Sequence, residues 1–519
     1  MQIARLVERA AQRWPTKVAT LSGDGKLLTW SESRGRIARL AAGLHSLGVR
    51  RGDRVALLAG NSQEYFESFF AACWADAVIV PMNTRFSVKE NLYCAEDCSP
   101  VVLIVDALFA DQAKELAERV GSIKAVVAIG KAADLVGAVA YEDLIRVNEN
   151  IALGNAGADD LAGIFYTGGT TGFPKGVMLS HTNLFASSSS FWLELGVLPN
   201  SMRYLHAAPM FHLADASQTI GVTMHGGAHA FLATFDPVLA LECIAAWEIT
   251  DVVLVPTMLQ RMFDHEKRSG FDLRSLKRII YGGSPMPPAL LERVQAAFPE
   301  IEFAQCYGQT EMAPVVTVLP PQDHRSPENR EERIASVGRP ALGIDVKIVD
   351  GDLVEVAPGE TGQIAARGRN RMLGYWNQSE QTQKTIVDGW VLTGDAGYVD
   401  ADGYVHLVDR VKDMIVTGGE NVYSVEVENA LCRFPGVRAA AVIGIPSERW
   451  GEAVHAFVIA DPAAAITHEL LTEHCKSLIA GYKCPKSIDF VADLPLSAAG
   501  KVLKQELRQR YWHGTKRIN

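Results

Sequence analysis

A chain of 519 residues exceeds what one hydrophobic core ordinarily organises, so two or more domains are expected. Hydrophobic residues make up 48% and charged residues 21%, the proportions of a globular protein rather than of a disordered or membrane chain. The net charge of -10 argues against a nucleic-acid partner, which calls for a basic surplus or stripe, but leaves room for a local basic pocket.

In chain order, MQIARLVERAAQRWP reads as an amphipathic helix carrying charges throughout, unlike a secretory segment. No apolar run approaches the ~20 residues that cross a bilayer. In LTWSESRGRIARLAAGLHSLGV, Thr29 and Glu32 stand at capping-box spacing. Ile37, Leu40, Ala41, Leu44 and Leu47 then fall on one helical face, and Gly48 stops the helix. RVALLAG (54–60), AVIVP (77–81), PVVLIVD (100–106) and AVVAIG (125–130) are short apolar strands, with helices predicted through NSQEYFESFFAACWA and 107–120. Such alternation builds βαβ units around a parallel sheet covered on both faces.

The polar YTGGTTGFPKG (166–176) interrupts this pattern, which resumes with strands DVVLVP (251–256), RIIYGG (278–283) and EFAQCYG (302–308) and a helix through PPALLERVQAAF. Each of these strands ends at small or polar residues, and the carboxyl ends of strands are where open α/β sheets hold ligands. PPQDHRSPENREER (320–333) reads as a surface loop. From about residue 335 the chain turns β-rich, with a hairpin signal at Asp402-Gly403 inside GYVDADGYVHLVDR. After Arg410 the pattern is helix, two strands, helix, strand and helix. The expected fold is α/β: a large amino-terminal domain (1–409) of parallel-rich sheets with a β-rich subdomain, and a small α+β domain (410–519). The eight cysteines form no CxxC pair, and Cys94 and Cys98 lack a matching Cys/His pair, so buried reduced thiols and a cytoplasmic setting are expected.

The glycine-rich stretch fails the Walker A test, because Lys175 is followed by Gly176 rather than Ser or Thr, and it contains no GxGxxG. What remains is a run of backbone N–H groups, hydroxyls and one ammonium, which can wrap a polyphosphate. Taken alone, a glycine-rich turn between IFY and VMLSH is a competing reading. However, YTGGTTGFPKG resembles the phosphate-binding signature of the adenylate-forming enzymes, and further motifs follow in that family's order: YGGSPMPP (281–288), YGQTE (307–311), TGDAGYVD (393–400), DRVKDMIVTGGENVYSVEVE (409–428) and PLSAAGK (495–501). The resemblance covers essentially the whole chain, on the acyl-CoA synthetase branch.

The resemblance implies ATP, Mg²⁺ and CoA as reactants and cofactors, and a role for each motif. Thr167, Gly168, Gly169, Thr170, Thr171, Gly172 and Lys175 hold the β- and γ-phosphates. Glu311 is the magnesium ligand, Gly283, Ser284 and Tyr307 form the adenine pocket, Gly308 is a further nucleotide-binding position, and Thr310 lies near the α-phosphate. Asp395 and Arg410 contact the ribose. Lys501 bridges the substrate carboxylate and the α-phosphate, although PLSAAGK lacks the hydroxyls that the family more often carries before this lysine. Lys412 is the expected hinge of a rotating carboxyl-terminal domain, whose second pose brings Gly418, Gly419 and Glu420 to the site.

For the acid, the resemblance points to PMFHLADASQTIGVTMHGGAHAFL (209–232), with His212 lining the pocket and Gly226, Gly227 and Ala228 leaving room for a chain or ring. The apolar surroundings favour a fatty or other uncharged acyl tail, while Asp215 keeps an amino-acid substrate open. CoA is the expected acceptor. A separate carrier protein and a non-catalytic nucleotide or acyl-AMP sensor are the alternatives, and a homodimer is left open.

Overall fold

The computed structural model describes residues 1–23, 25–130, 137–168, 174–199, 201–326, 330–410, 413–418, 420–461, 464–495 and 502–512. The chain forms two compact units, one of Met1–Asp345 with Ala366–Val391 and the other of Val346–Ala365 with Leu392–Asn519.

The first unit contains two sheets. In the nine-stranded sheet the spatial order is Arg339–Pro340, Val315–Leu319, Glu302–Gly308, Arg278–Gly282, Asp251–Leu254, Arg203–His206, Ala228–Phe231, Val18–Leu21 and Leu27–Thr29. The six strands from Glu302–Gly308 to Val18–Leu21 run parallel, and antiparallel strands close both edges. The eight-stranded sheet begins Gly374–Tyr375, Lys175–Ser180, Leu161–Thr167, and continues in parallel through Val78–Pro81, Arg54–Leu58, Val102–Val105, Ala125–Ala128 and Val139–Ala140.

Local chemistry explains the helices between these strands. Thr29 caps Trp30–Ser46 by accepting from the Glu32 N–H, while the Glu32 carboxylate accepts from the Thr29 N–H at 2.8 Å. Ile37, Leu40, Ala41 and Leu44 on this helix are fully buried, and Gly48 takes φ +92° just past its end. Helix Gln63–Trp74 buries Phe66, Phe69, Phe70 and Trp74 in the same core. Burying four such aromatic side chains is worth several kcal/mol, at roughly 1.5–3 kcal/mol each.

The polar segment 320–333 departs from the loop expectation. Helices Pro321–Arg325 and Arg330–Ala335 occupy most of it, and Asp323 and His324 are buried. His324 Nε2 lies 2.9 Å from the Tyr281 hydroxyl and Asp323 faces Arg333 at 3.6 Å, so these two polar residues meet protein partners instead of water.

Strand Trp390–Val399, which belongs to the second unit from Leu392 onward, pairs antiparallel with Val405–Arg410 around a turn in which Asp400 Oδ1 accepts from the Asp402 and Tyr404 N–H groups. Beyond Arg410, short strands Ile415–Thr417 and Glu420–Val422 precede the expected order: helix Ser424–Cys432, strands Val437–Ser447 and Gly451–Ala460, helix His468–Leu478, strand Ser487–Phe490 and helix Lys504–Gln509. The last helix is tied down by Lys504, whose ammonium contacts the Glu428 carboxylate at 2.7 Å. All eight cysteines are free; Cys73, Cys94, Cys98, Cys475 and Cys484 are buried, Cys243 and Cys306 half-buried and Cys432 exposed. No helix among the described residues is long and apolar enough to cross a membrane.

Candidate active site

The glycine-rich stretch links two antiparallel strands, Leu161–Thr167 and Lys175–Ser180, whose last register pair before the turn is Thr167 with Lys175. Thr167 is half-buried and Gly168 exposed; Gly169, Thr170, Thr171 and Gly172 lie outside the described residues. The Lys175 ammonium sits 5.3 Å from the centroid of the Tyr375 ring. The Tyr375 hydroxyl in turn donates to Glu311 Oε1 at 2.7 Å. The cation of the loop and the carboxylate of YGQTE, 136 positions apart in the sequence, are thus joined through one aromatic side chain.

Glu311 stands on the short 3-10 turn Thr310–Met312, directly after strand Glu302–Gly308. Segment 370–375 braces that turn. The Asn370 amide donates to the carbonyls of Met312 (2.6 Å) and Val315 (2.7 Å), and the Met372 N–H donates to the Glu311 carbonyl at 2.8 Å. A side chain at Gly308 has no room, since its Cβ would lie 1.8 Å from the Pro314 carbonyl oxygen. Burial first, then the Glu311 charge, push the Tyr375 hydroxyl above its ordinary range, so it stays a donor.

One carboxylate linked through Tyr375 to the lysine that ends a glycine-rich loop fits magnesium, which takes one or two carboxylates plus substrate phosphates and retains several waters. It does not fit a dedicated protein cage, and the described residues contain no cluster of three or more His, Cys, Asp or Glu suited to one.

Topology gathers several further candidates of the first unit at one sheet edge. Strands Asp251–Leu254, Arg278–Gly282 and Glu302–Gly308 are parallel neighbours, so Gly283, Ser284, Tyr307, Gly308 and Thr310 all stand at their carboxyl ends. Gly283 takes φ +76°, a conformation that lets the backbone turn directly off its strand. Tyr307 is buried. His212 follows strand Arg203–His206, the next parallel neighbour, and caps helix Leu213–His225 with its ring against Phe211 at 4.3 Å between centroids.

Gly226 and Gly227 stand elsewhere. They precede strand Ala228–Phe231 and so occupy the amino edge of the sheet. A Cβ at Gly226 would lie 2.1 Å from the Trp14 ring, and one at Gly227 3.0 Å from Met202 and Val222. The space expected there for an acyl group is filled by the protein itself.

Asp215, in the first turn of helix Leu213–His225, is completely buried and its two oxygens are taken by the Tyr204 hydroxyl (2.9 Å) and His206 Nδ1 (2.5 Å). His206 Nε2 continues to His229 Nδ1 at 2.9 Å, and His229 Nε2 to the Thr223 hydroxyl at 3.1 Å. Burial, followed by His206, pushes His229 well below its ordinary range, leaving it neutral. This relay fastens both ends of the helix to the sheet, and Asp215, completely buried with a protein donor on each oxygen, is not presented to a substrate ammonium.

In the second unit, Asp395 and Arg410 face each other in register on adjacent strands and form an ion pair, Nε to Oδ1 at 3.0 Å. Gly418 turns the chain between two short strands at φ +62°, and Glu420 opens the second strand. Lys412, Gly419 and Lys501 lie outside the described residues.

A family model described as AMP-binding enzyme matches residues 7–376, and that of the AMP-binding enzyme C-terminal domain matches residues 426–501. The chain belongs to the AMP-binding enzyme family. It is accordingly an ATP-dependent, AMP-forming acid–thiol ligase. A feruloyl-CoA synthase from Amycolatopsis sp is 38% identical over 96% of this chain and 98% of that protein. The fatty acid–[acyl-carrier-protein] ligase ScoC from Streptomyces coeruleorubidus is 34% identical over 97% and 95%. The crystal structure of ATP-bound MatB from Rhodopseudomonas palustris superposes with a TM-score of 0.88 at 31% identity, covering 98% of this chain and 99% of that one. Sequence reading missed Asn370 and Tyr375, which stand in RNRMLGYWN without a local pattern to mark them.

Proposed function

We propose that this ligase activates a carboxylic acid with an apolar, uncharged tail, fatty or aromatic, and transfers it to CoA in the cytoplasm. The observation that carries the reading of the acid is Asp215. The carboxylate that could have received an amino-acid ammonium is completely buried, with Tyr204 on one oxygen and His206 on the other. His212, at the carboxyl edge of the sheet, is the residue assigned to the acyl pocket.

A carboxylate does not react with a thiol at neutral pH, because it is a poor electrophile with a poor leaving group. In the first half-reaction a carboxylate oxygen attacks the α-phosphorus of ATP, pyrophosphate departs, and a mixed anhydride forms. In the second, the CoA sulfur attacks the acyl carbon and AMP leaves with the electron pair. The barrier to the first step is the meeting of two anions, so positioning and charge neutralisation are the main tasks. Lys175 and the loop backbone hold the β- and γ-phosphates, and Lys501 draws the carboxylate to the α-phosphate. Asp395, an acceptor-only group held in place by Arg410, receives the ribose hydroxyls. Magnesium, when bound at Glu311, supplies charge neutralisation on the phosphate oxygens. Rotation about Lys412 withdraws Lys501 and brings residues 418–420 forward for the thiol step.

The test is acid-dependent exchange of labelled pyrophosphate into ATP across short, medium, long-chain and aromatic acids, repeated with CoA. Exchange together with a CoA thioester supports the reading. Exchange without thioester favours a carrier-protein acceptor, the second reading that the likeness to ScoC keeps in play. For the two-pose assignment, Lys501→Ala should abolish exchange while sparing thioester formation from supplied acyl-AMP; equal loss of both half-reactions refutes it.

A further inference from the structure

We infer that Tyr375 is a positioning residue of the nucleotide site: it keeps the Lys175 ammonium and the Glu311 carboxylate apart and aimed, so that each meets its own part of magnesium–ATP. The inference rests on the reading of Lys175 and Glu311 given above.

Strand pairing puts Tyr375 in place. It lies opposite Val177, and cross-strand partners share a face, as do residues two apart on one strand. Tyr375 is therefore a diagonal neighbour of Lys175, within reach of long and aromatic side chains. The Tyr375 N–H donates to the Thr382 hydroxyl at 2.8 Å, and Gly374 allows this close approach, since a Cβ there would lie 2.8 Å from Thr382 Cγ2. The ring is 7% exposed and so has little freedom to swing away.

Its two ends do different work. The hydroxyl donates to Glu311 Oε1 at 2.7 Å, fixing the carboxylate and leaving Oε2 for a cation. The ring attracts the Lys175 ammonium at 5.3 Å from its centroid. Without this spacer, a flexible lysine and a glutamate brought to one edge would pair directly, and phosphate and metal would each have to break that pair before binding. An aromatic cushion holds the lysine more weakly than a carboxylate does and gives it up readily to a phosphate.

The experiment compares wild type with Tyr375→Phe, Tyr375→Leu, Glu311→Gln and Lys175→Ala. Mn²⁺ binding to the complex with a non-hydrolysable ATP analogue is measured by electron paramagnetic resonance, alongside the Mg²⁺ dependence and acid KM of pyrophosphate exchange. Tyr375→Phe keeps the ring and removes the hydroxyl. It is expected to weaken Mn²⁺ roughly tenfold, the worth of a hydrogen bond to a charged group, and to leave the acid KM unchanged. Tyr375→Leu is expected to weaken nucleotide binding severalfold further. Wild-type Mn²⁺ affinity in Tyr375→Phe, with Glu311→Gln impaired, overturns the role of Tyr375 alone. Wild-type behaviour of Glu311→Gln and Lys175→Ala overturns the underlying reading. An acid KM that rises in step with the Mn²⁺ dissociation constant marks a general disturbance and also overturns the inference.

Discussion

Replacing Asp215 with alanine tests whether the buried relay holds the acyl side of the site. The change removes the acceptor for two buried donors, the Tyr204 hydroxyl and His206 Nδ1. Each buried group left without a partner costs about 1–3 kcal/mol, so the sum is about 2–6 kcal/mol. With a urea slope of about 3 kcal/mol per M, a loss of about 4 kcal/mol lowers the unfolding midpoint by roughly 1.3 M. Asp215→Asn retains an oxygen for Tyr204 and should lose about half as much. Because His212 caps the helix that Asp215 fastens, both variants should raise the KM of the acid severalfold in pyrophosphate exchange while leaving that of ATP near wild type. An alanine variant within about 0.3 M of the wild-type midpoint, or one whose ATP and acid constants rise together, refutes the argument.

Two further substitutions probe the frame around the site. Arg36 donates to both Glu67 (2.7 Å) and Glu142 (2.6 Å), and Glu67 is completely buried, so Arg36→Met should cost about 3–5 kcal/mol in urea unfolding near pH 8. Burial already pushes the Glu67 carboxyl above its ordinary value. A raised carboxyl pKa makes the folded state bind protons more tightly, so stability falls as pH rises, and the deficit of the variant should be smaller at pH 5 than at pH 8. Gly308→Ala should abolish pyrophosphate exchange, because its Cβ would overlap the Pro314 carbonyl and force the Glu311 turn to move, at a cost of ~1–3 kcal/mol or more. Gly343→Ala, at a glycine of φ +80° whose Cβ would meet nothing within 4 Å, should cost only the ~1–2 kcal/mol of its positive φ and keep exchange; equal loss of exchange in the two variants argues against a steric cause at Gly308.

Strands such as EFAQCYG, and the Thr29–Glu32 cap, were legible because their signals are local: a short apolar run, a hydroxyl three residues before a glutamate. The strand-end positions of Gly283 and Tyr307 were legible for the same reason. The relay from Tyr204 to Thr223 was not, since it draws on two strands and both ends of a helix, and an aspartate that will be buried looks in sequence like one that will not. Segment 320–333 misled in the same way, its histidine meeting Tyr281 from a distant strand and its aspartate facing Arg333 within the segment and Arg339 just beyond it. Gly226 suggested a cavity, but the indole that fills it comes from Trp14 at the other end of the domain's sequence.

Strand Gly374–Tyr375 closes the edge of Lys175–Ser180, yet Val177 and the Tyr375 that faces it are made far apart in time. At about 5–20 residues per second, a ribosome needs roughly 10–40 s to travel between them. Throughout that interval the strand behind the glycine-rich loop presents an unpaired edge, a template for wrong partners in a crowded cell. The residue that links Lys175 to the Glu311 carboxylate is thus also the one whose arrival ends this exposure, and a nascent chain released before it would carry the loop sequence, the carboxylate and an open edge, but no means of joining them.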